Sequence, residues 1–307
     1  VSGALIICGP TSSGKSEIAL AVARELGGEI VNADSRQIYR GMSIGTGSPP
    51  PSARERVAHH LYDFVDPAQR YSAARYVHDA DAIIQEIESR GRVPIVVGGT
   101  GFYIEALAGT MPLDRPPGDD HMRARLRAEA HIHTTEVLWQ WLAAIAPARA
   151  AQTKRGDSYR ILRALEGVLS ARTERSDGGA SPARRAQLRC EIVVLRIAPG
   201  ILRERIEQRV RGMFEHGLIA EAAAVRAHAP DAPALSGLGY AEALAYLDGR
   251  ATQLEALAST IHRTQRYAKR QQTWFRRIVR AHVVDAEDAH AATRAIVALA
   301  REKLAPA

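Results

Sequence analysis

Residues 4–16 constrain this chain more than any other stretch. Ala4-Leu5-Ile6-Ile7-Cys8 is an apolar run, and Gly9-Pro10-Thr11-Ser12-Ser13-Gly14-Lys15-Ser16 fits the pattern G-x-x-x-x-G-K-S. A helical spacing begins at once afterwards. Strand, glycine-rich loop and helix in that order predict a phosphate-binding P-loop. Gly9 and Gly14 let the backbone curl so that successive N–H groups point at a polyphosphate. Lys15 adds a point charge, and the Ser16 hydroxyl is a candidate ligand for Mg²⁺. Gly9 to Ser16 is thus the candidate diphosphate-binding segment; the loop by itself names no reaction.

The alternation of strands and helices then continues. Glu17 to Leu26 has helical spacing and stops at Gly27-Gly28, and Glu29 to Ala33 reads as a second strand. That strand delivers Asp34-Ser35-Arg36-Gln37 at its carboxyl end, where ligands bind in open α/β sheets. Asp34 is therefore a candidate site carboxylate; its structural alternative is a turn residue or helix N-cap. Residues 41–72 read as a long loop over the site. Its adjacent His59 and His60 would point in different directions, which suits hydrogen bonding better than joint metal ligation. Ser72 to Arg90 is helical in spacing, Val93 to Val97 is a third strand, and Gly98-Gly99-Thr100-Gly101 follows at its carboxyl end. Thr100 fits a ligand contact and the cap of a helix starting near Phe102 equally well.

From about Asp114 the strand pattern stops. Helical stretches at 120–132, 135–146 and 158–172 and a polar, flexible return at Ser176–Pro182 predict a helical domain at 114–187. It would interrupt an α/β core formed by 1–113 and 188–307. Leu138, Trp139, Trp141, Leu142 and Ile145 read as the apolar face of one inserted helix. Strand character returns at Cys190–Ile197, and one long helix carrying Arg203, Arg205, Arg209 and Arg211 is expected over 202–227. A Gly237-Leu238-Gly239-Tyr240 turn, a further helix, a strand at 281–284 and a helix at 287–304 close the chain.

Charge is concentrated, not spread. The 307 residues carry a formal net charge of +7, and Arg263 to Arg280 holds no acid while Tyr267 and Trp274 interleave its basic residues. A membrane-surface helix would show a cleaner apolar face, so this stretch points to a nucleic-acid backbone. With 46% hydrophobic and 24% charged residues the balance is ordinary. No apolar run reaches a membrane span and no secretory h-region opens the chain, so a cytoplasmic protein is expected. The start at Val1 implies that the initiating residue, or a few more, precede it. Cys8 and Cys190 fall in predicted strands as small buried hydrophobes, and no Cys/His array suggests zinc.

Several runs carry a resemblance to the bacterial tRNA dimethylallyltransferase family. They are the P-loop, Asn32 to Met42, Ile44 to Gly47, His59-His60-Leu61, Tyr71 to Ala74, Gly98 to Tyr103, Arg160 to Glu166 and Arg266 to Arg276, in the family's order over nearly the whole chain. The resemblance implies transfer of a dimethylallyl group from its diphosphate to N6 of the adenosine just 3′ of the anticodon (position 37), with Mg²⁺. It assigns Asp34 as general base and Lys15, Ser16, Arg209 and Thr100 to the reacting centre, with Ser16 holding the metal. It implies tRNA contacts at Asp34, Ser35, Arg36, Gln37, Thr100, Arg123, Tyr159, Arg160, Ile161, Leu162, Arg163, Lys269 and Arg270. The insertion and the core would close on the anticodon stem-loop of a tRNA bound by a monomer. Two departures stand out: Ser236 and Ala241 flank Gly239-Tyr240 where the family often has basic residues, and Tyr159 stands among polar contact positions.

Other classes remain open on the residues alone. A P-loop small-molecule kinase or ATPase leaves the basic stretch and the insertion unexplained, as does transfer to free AMP. A non-catalytic RNA-binding module leaves Asp34 beside a P-loop unexplained.

Overall fold

The computed structural model describes residues 3–110, 120–174 and 188–304. Chain contacts divide it into a unit of Val1–Pro112 with Gln187–Ala307 and a unit of Leu113–Ala186. The first begins with β1 (Ala4–Cys8), α1 (Lys15–Leu26), β2 (Glu29–Asn32), α2 (Ser43–Thr46), α3 (Pro51–Arg56), β3 (His59–His60), α4 (Ala73–Ser89), β4 (Pro94–Gly98) and α5 (Gly101–Leu107). The second unit holds α6 (Asp120–Ile132), α7 (Thr135–Ile145), α8 (Pro147–Ala151) and α9 (Ser158–Glu174). The chain then adds β5 (Cys190–Arg196), α10 (Pro199–Glu215), α11 (Leu218–His228), α12 (Tyr240–Leu247), α13 (Gln253–Phe275), β6 (His282–Asp285) and α14 (Ala289–Lys303).

The six strands form one sheet in the order β3-β2-β4-β1-β5-β6, and every pairing is parallel. This is the P-loop type of α/β fold expected above. Parallel strands need covering on both faces, which explains why β1 is apolar at every position and buried along its whole length. Leu5, Ile7, Ile95 and Val97 pack with Ile18 and Val22 of α1 and Ile296 and Val297 of α14. Their alternate neighbours Ile6, Val31 and Val96, pointing the other way, are fully buried too. A second core joins α10, α11, α12 and α13 to residues 38–65 through Ile38, Met42, Ile206, Val210, Leu218 and Tyr240.

Two expectations change. Residues 41–72 are not one long loop: they contain α2, α3 and the edge strand β3. His60 Nε2 donates to Glu29 at 2.7 Å and so ties the edge strand to β2, while His59 Nδ1 meets the nearby Val57 carbonyl at 2.7 Å. The helix expected over 202–227 is two helices, because Gly217 takes φ 104°, a left-handed conformation that ends α10 and starts α11 in a new direction.

In the helical unit, Leu126, Leu138, Leu142, Ala150, Ile161, Ala164 and Leu165 form the core, with Trp139, Trp141 and Ile145 packed on it. Arg155 lies 3.9 Å over the Trp139 ring. The buried Glu166 carboxylate is held by Arg123 at 2.6 Å and by Arg163. The polar return at Ser176–Pro182 and the first boundary near Asp114 lie outside the described residues. No described helix is long and apolar enough to cross a membrane.

Candidate active site

The carboxyl ends of β1, β2 and β4 come together because their backbones touch. A Cβ on Gly98 would sit 2.1 Å from the Ala33 carbonyl oxygen, so only glycine lets the ends of β2 and β4 approach this closely. Ala33 then accepts the Thr100 N–H at 3.2 Å, and the Thr100 hydroxyl accepts the Ser35 N–H at 2.9 Å. Thr100 stands at the N-cap position of α5 but does not cap it with its side chain; the hydroxyl is turned to Ser35, 3.2 Å from its Oγ. Of the two alternatives left open by the sequence, capping is the one the structure removes.

Asp34 follows directly. Its backbone N–H donates to Asn32 Oδ1 at 2.8 Å, and its own Oδ1 accepts the Arg36 N–H at 2.8 Å. The Asn32 amide reaches on to the carbonyl oxygens of Asp34 and Leu61. The turn that aims the carboxylate is thus held from both sides.

The P-loop bends as its glycines require, with Gly14 at φ 87° opening α1. Lys15 Nζ donates to the Pro10 carbonyl at 2.7 Å. Burial pushes its ammonium down to about 8; the Asp34 carboxylate pulls it up and Arg209 pushes it down again. The Ser12 and Ser13 hydroxyls are buried with no hydrogen-bond partner among the described residues. Buried orphan hydroxyls are rare in a finished interior, and here they sit in the loop that a polyphosphate would fill.

Two side chains from far along the chain complete the rim. Arg209 of α10 donates to Thr11 Oγ1 at 3.1 Å and to the Thr46 carbonyl at 2.9 Å. Burial lowers its pKa against the pull of Asp34. Gln271 of α13 accepts the Thr11 N–H at 2.8 Å and donates to the Gly99 carbonyl at 2.8 Å, stapling the basic helix to both loops. Sequence reasoning left Gln271 out of the site, although it stands inside the Lys269 to Arg276 run; its two partners are 260 and 172 residues away.

Of these groups, Thr11, Lys15, Asp34, Ser35, Gly98 and Arg209 line a cleft of about 380 Å³, while Thr100 and Gln271 brace its loops without lining it. Lys15, Arg36, Arg209, Arg263 and Arg270 supply five cations to its wall and Asp34 the one carboxylate, while Met42, Val97, Val210, Met213 and Leu238 are among its apolar lining. Arg263 is committed to the buried Glu242. Such a wall suits an anion with an apolar tail. Among the described residues no group of three or more His, Cys, Asp or Glu side chains could hold a metal ion. The exposed Ser16 hydroxyl in the same wall therefore fits Mg²⁺ only in its usual style, with phosphate oxygens and water completing the shell.

The remaining residues divide between two places. Ser35, Arg36, Gln37 and Arg270 line the cleft, and Lys269 is exposed beside Arg270 on α13. In the helical unit Tyr159 is 74% exposed and Arg160, paired to Asp157 at 3.3 Å, is exposed too. Ile161 corrects the expectation: its side chain is 0% exposed in the helical core and does not reach a surface ligand. Leu162 packs partly against the same core, and Arg123 and Arg163 hold Glu166. Their positions are explained by folding before any ligand is invoked.

The IPP transferase family profile matches residues 37–278, and an isopentenyl transferase profile matches residues 2–62. This chain belongs to the IPP transferase family. Among its relatives, the tRNA dimethylallyltransferase of Geobacter sulfurreducens is 42% identical over 276 residues, 89% of this chain and 88% of that one. The enzyme of the same name from Halorhodospira halophila is 41% identical over 278 residues, 89% of each chain. The crystal structure of a tRNA isopentenylpyrophosphate transferase from Bacillus halodurans superposes with TM-score 0.73 at 33% identity, covering 99% of this chain and 97% of that one. A eukaryotic dimethylallyltransferase acting on tRNA shares the fold, with TM-score 0.81 at 23% identity over 99% of this chain and 80% of that one. The resemblance read from the motifs is therefore membership of the IPP transferase family.

Proposed function

We propose that this transferase moves the dimethylallyl group of dimethylallyl diphosphate to N6 of the adenosine 3′ of the anticodon (position 37) in tRNA, releasing pyrophosphate. The observation that carries the reading is Asp34: one carboxylate aimed into a cationic, partly apolar cleft beside a P-loop. An exocyclic adenine N6 is a weak nucleophile because its lone pair is delocalised into the ring. As N6 bonds to the allylic carbon and the carbon–oxygen bond to diphosphate breaks, Asp34 takes the N6 proton. The P-loop amides, Lys15 and Arg209 neutralise the charge growing on the leaving pyrophosphate. Mg²⁺ held at Ser16 adds positive charge to that leaving group when bound. Ser35, Arg36, Gln37 and Thr100 surround the reacting base, which leaves its stack at a cost of a few kcal/mol.

The helical unit, through Tyr159, Arg160 and its neighbouring arginines, and α13, through Lys269 and Arg270, offset that cost by contacts to the anticodon stem-loop. The enzyme works as a monomer in the cytoplasm, on a pyrophosphate-bearing isoprenoid in place of ATP. Labelled dimethylallyl diphosphate incubated with tRNA, with AMP or with neither should label tRNA alone. A parallel incubation with ATP should yield no ADP. Label in AMP, or protein-dependent ADP formation, would replace this reading with transfer to a free nucleotide or with phosphoryl transfer.

A further inference from the structure

The turn at residues 42–47 has no charged side chain, yet it grips Arg209. The Thr46 carbonyl accepts from Arg209 at 2.9 Å, and Gln37 Nε2 donates to the Gly47 carbonyl at 2.9 Å. A Cβ on Gly47 would lie 2.2 Å from an Arg209 guanidinium nitrogen, so the turn is moulded around that group. The turn is held in its place from elsewhere. Glu221 of α11 accepts the Ile44 N–H at 2.8 Å on one carboxylate oxygen and the Gly45 N–H at 2.9 Å on the other. The Tyr240 hydroxyl, fully buried, lies 2.6 Å from Glu221 Oε1 and 3.0 Å from the Met42 carbonyl, sharing its proton between them. Its ring fills the space a Cβ on Gly45 would need.

From this geometry we infer that Glu221, backed by Tyr240, is a positioning residue for the diphosphate site, acting through the 42–47 turn on Arg209. The inference rests on the reading of the cleft as that site. Glu221 sits past the break at Gly217, on the helix following the one that bears Arg209. The anchor and the anchored guanidinium thus belong to one helical pair, and the turn is clasped between them. A guanidinium is useful to a leaving anion only if its fork is already aimed. The Thr46 carbonyl and Thr11 hydroxyl supply that aim, and the carbonyl stays put because two of the turn's N–H groups are fixed on Glu221.

The sign of one measurement separates this role from plain electrostatics. Removing a carboxylate near an anion site should tighten anion binding by Coulomb's law, whereas removing the anchor should weaken it. Calorimetric binding of inorganic pyrophosphate to the full chain is measured for wild type, Glu221→Ala, Arg209→Ala and the double variant. Glu221→Ala should weaken pyrophosphate by about tenfold in wild type and by less than about twofold when Arg209 is already absent, the coupling expected of residues acting as one unit. Tyr240→Phe, which removes only the hydroxyl, should weaken it by about threefold and serves if Glu221→Ala does not fold. Equal losses in both Arg209 backgrounds, tighter binding, or no change in either Glu221→Ala or Tyr240→Phe would overturn the inference. Wild type that binds no pyrophosphate would instead sink the diphosphate reading itself.

Discussion

Strand β2 carries an acid at its amino end and delivers another just beyond its carboxyl end, and the two are treated in opposite ways. Glu29 has a side chain only 5% exposed and is surrounded: His60 at 2.7 Å, Arg90 at 2.8 Å and Arg92 at 3.6 Å. Burial alone would push its carboxyl up, but the hydrogen bonds from Arg90 and His60 and their charge hold it below its ordinary value. Asp34 is given the Arg36 N–H and a cleft. Nearby, Lys15 keeps a buried charge against a backbone carbonyl and is driven down to about 8. The amino end of β2 is closed by the pairing of Glu29, which serves stability. The carboxyl end leaves charges incompletely answered, and such sites are where chemistry is done.

Three substitutions sharpen or break this contrast. The largest effect is expected from Asp34→Asn, which should lower prenyl transfer at least ~100-fold while melting at the wild-type temperature. Transfer within a few-fold of wild type would remove Asp34 from proton transfer and with it the functional half of the comparison.

At the other end, Glu29→Gln should cost about 1.5–3 kcal/mol of stability, the worth of a charge-assisted hydrogen bond, and leave transfer within twofold. The pH dependence has a definite sign. A carboxyl held below its ordinary 4.5 in the folded state stabilises above that value and loses its contribution as pH falls through the lower folded value. Urea titrations from pH 6 to pH 3 should therefore show the gap between wild type and Glu29→Gln closing in acid; a gap independent of pH would mean that Glu29 acts by shape alone.

The third substitution concerns Lys15 and is read from pH dependence alone. Its folded value of about 8 lies below the ordinary 10.5, so the unfolded chain binds more protons between those limits and stability rises with pH across them. The stability of wild type relative to Lys15→Met should accordingly improve from pH 8 to pH 10.5. A constant difference would show that the ammonium is solvated and carries no burial strain.

Legibility followed the range of the interactions. The P-loop, α1 and the ends of β2 and β4 were readable because glycines, apolar runs and a helical spacing lie within a dozen residues of one another. The helices of residues 120–174 were readable by the same periodicity, α8 excepted, whose five residues are too few to show one. Strand β3 was not, since two histidines carry no strand pattern and earn their place only through Glu29 and the neighbouring β2 backbone. The break at Gly217 was hidden by apolar spacing that continues on both sides. Ile161 was misplaced because a motif names its members together, while a helix turns every third or fourth of them inward, here Ile161, Ala164 and Leu165. Gln271 and Glu221 eluded the sequence for the opposite reason: their hydrogen-bond partners on the loops are more than 170 residues away.

The strand order has a consequence for how the chain comes into being. β1 is the second-to-last strand to be enclosed: its partners are β4, which ends at Gly98, and β5, which starts only at Cys190, after the whole helical unit. A ribosome making about 5–20 residues per second leaves one edge of this all-apolar strand without its neighbour for roughly ten to forty seconds. The second unit emerges during that interval with a core of its own to form. The glycine-rich loop that β1 leads into therefore takes its final shape late, when Leu195 of β5 closes over Gly9.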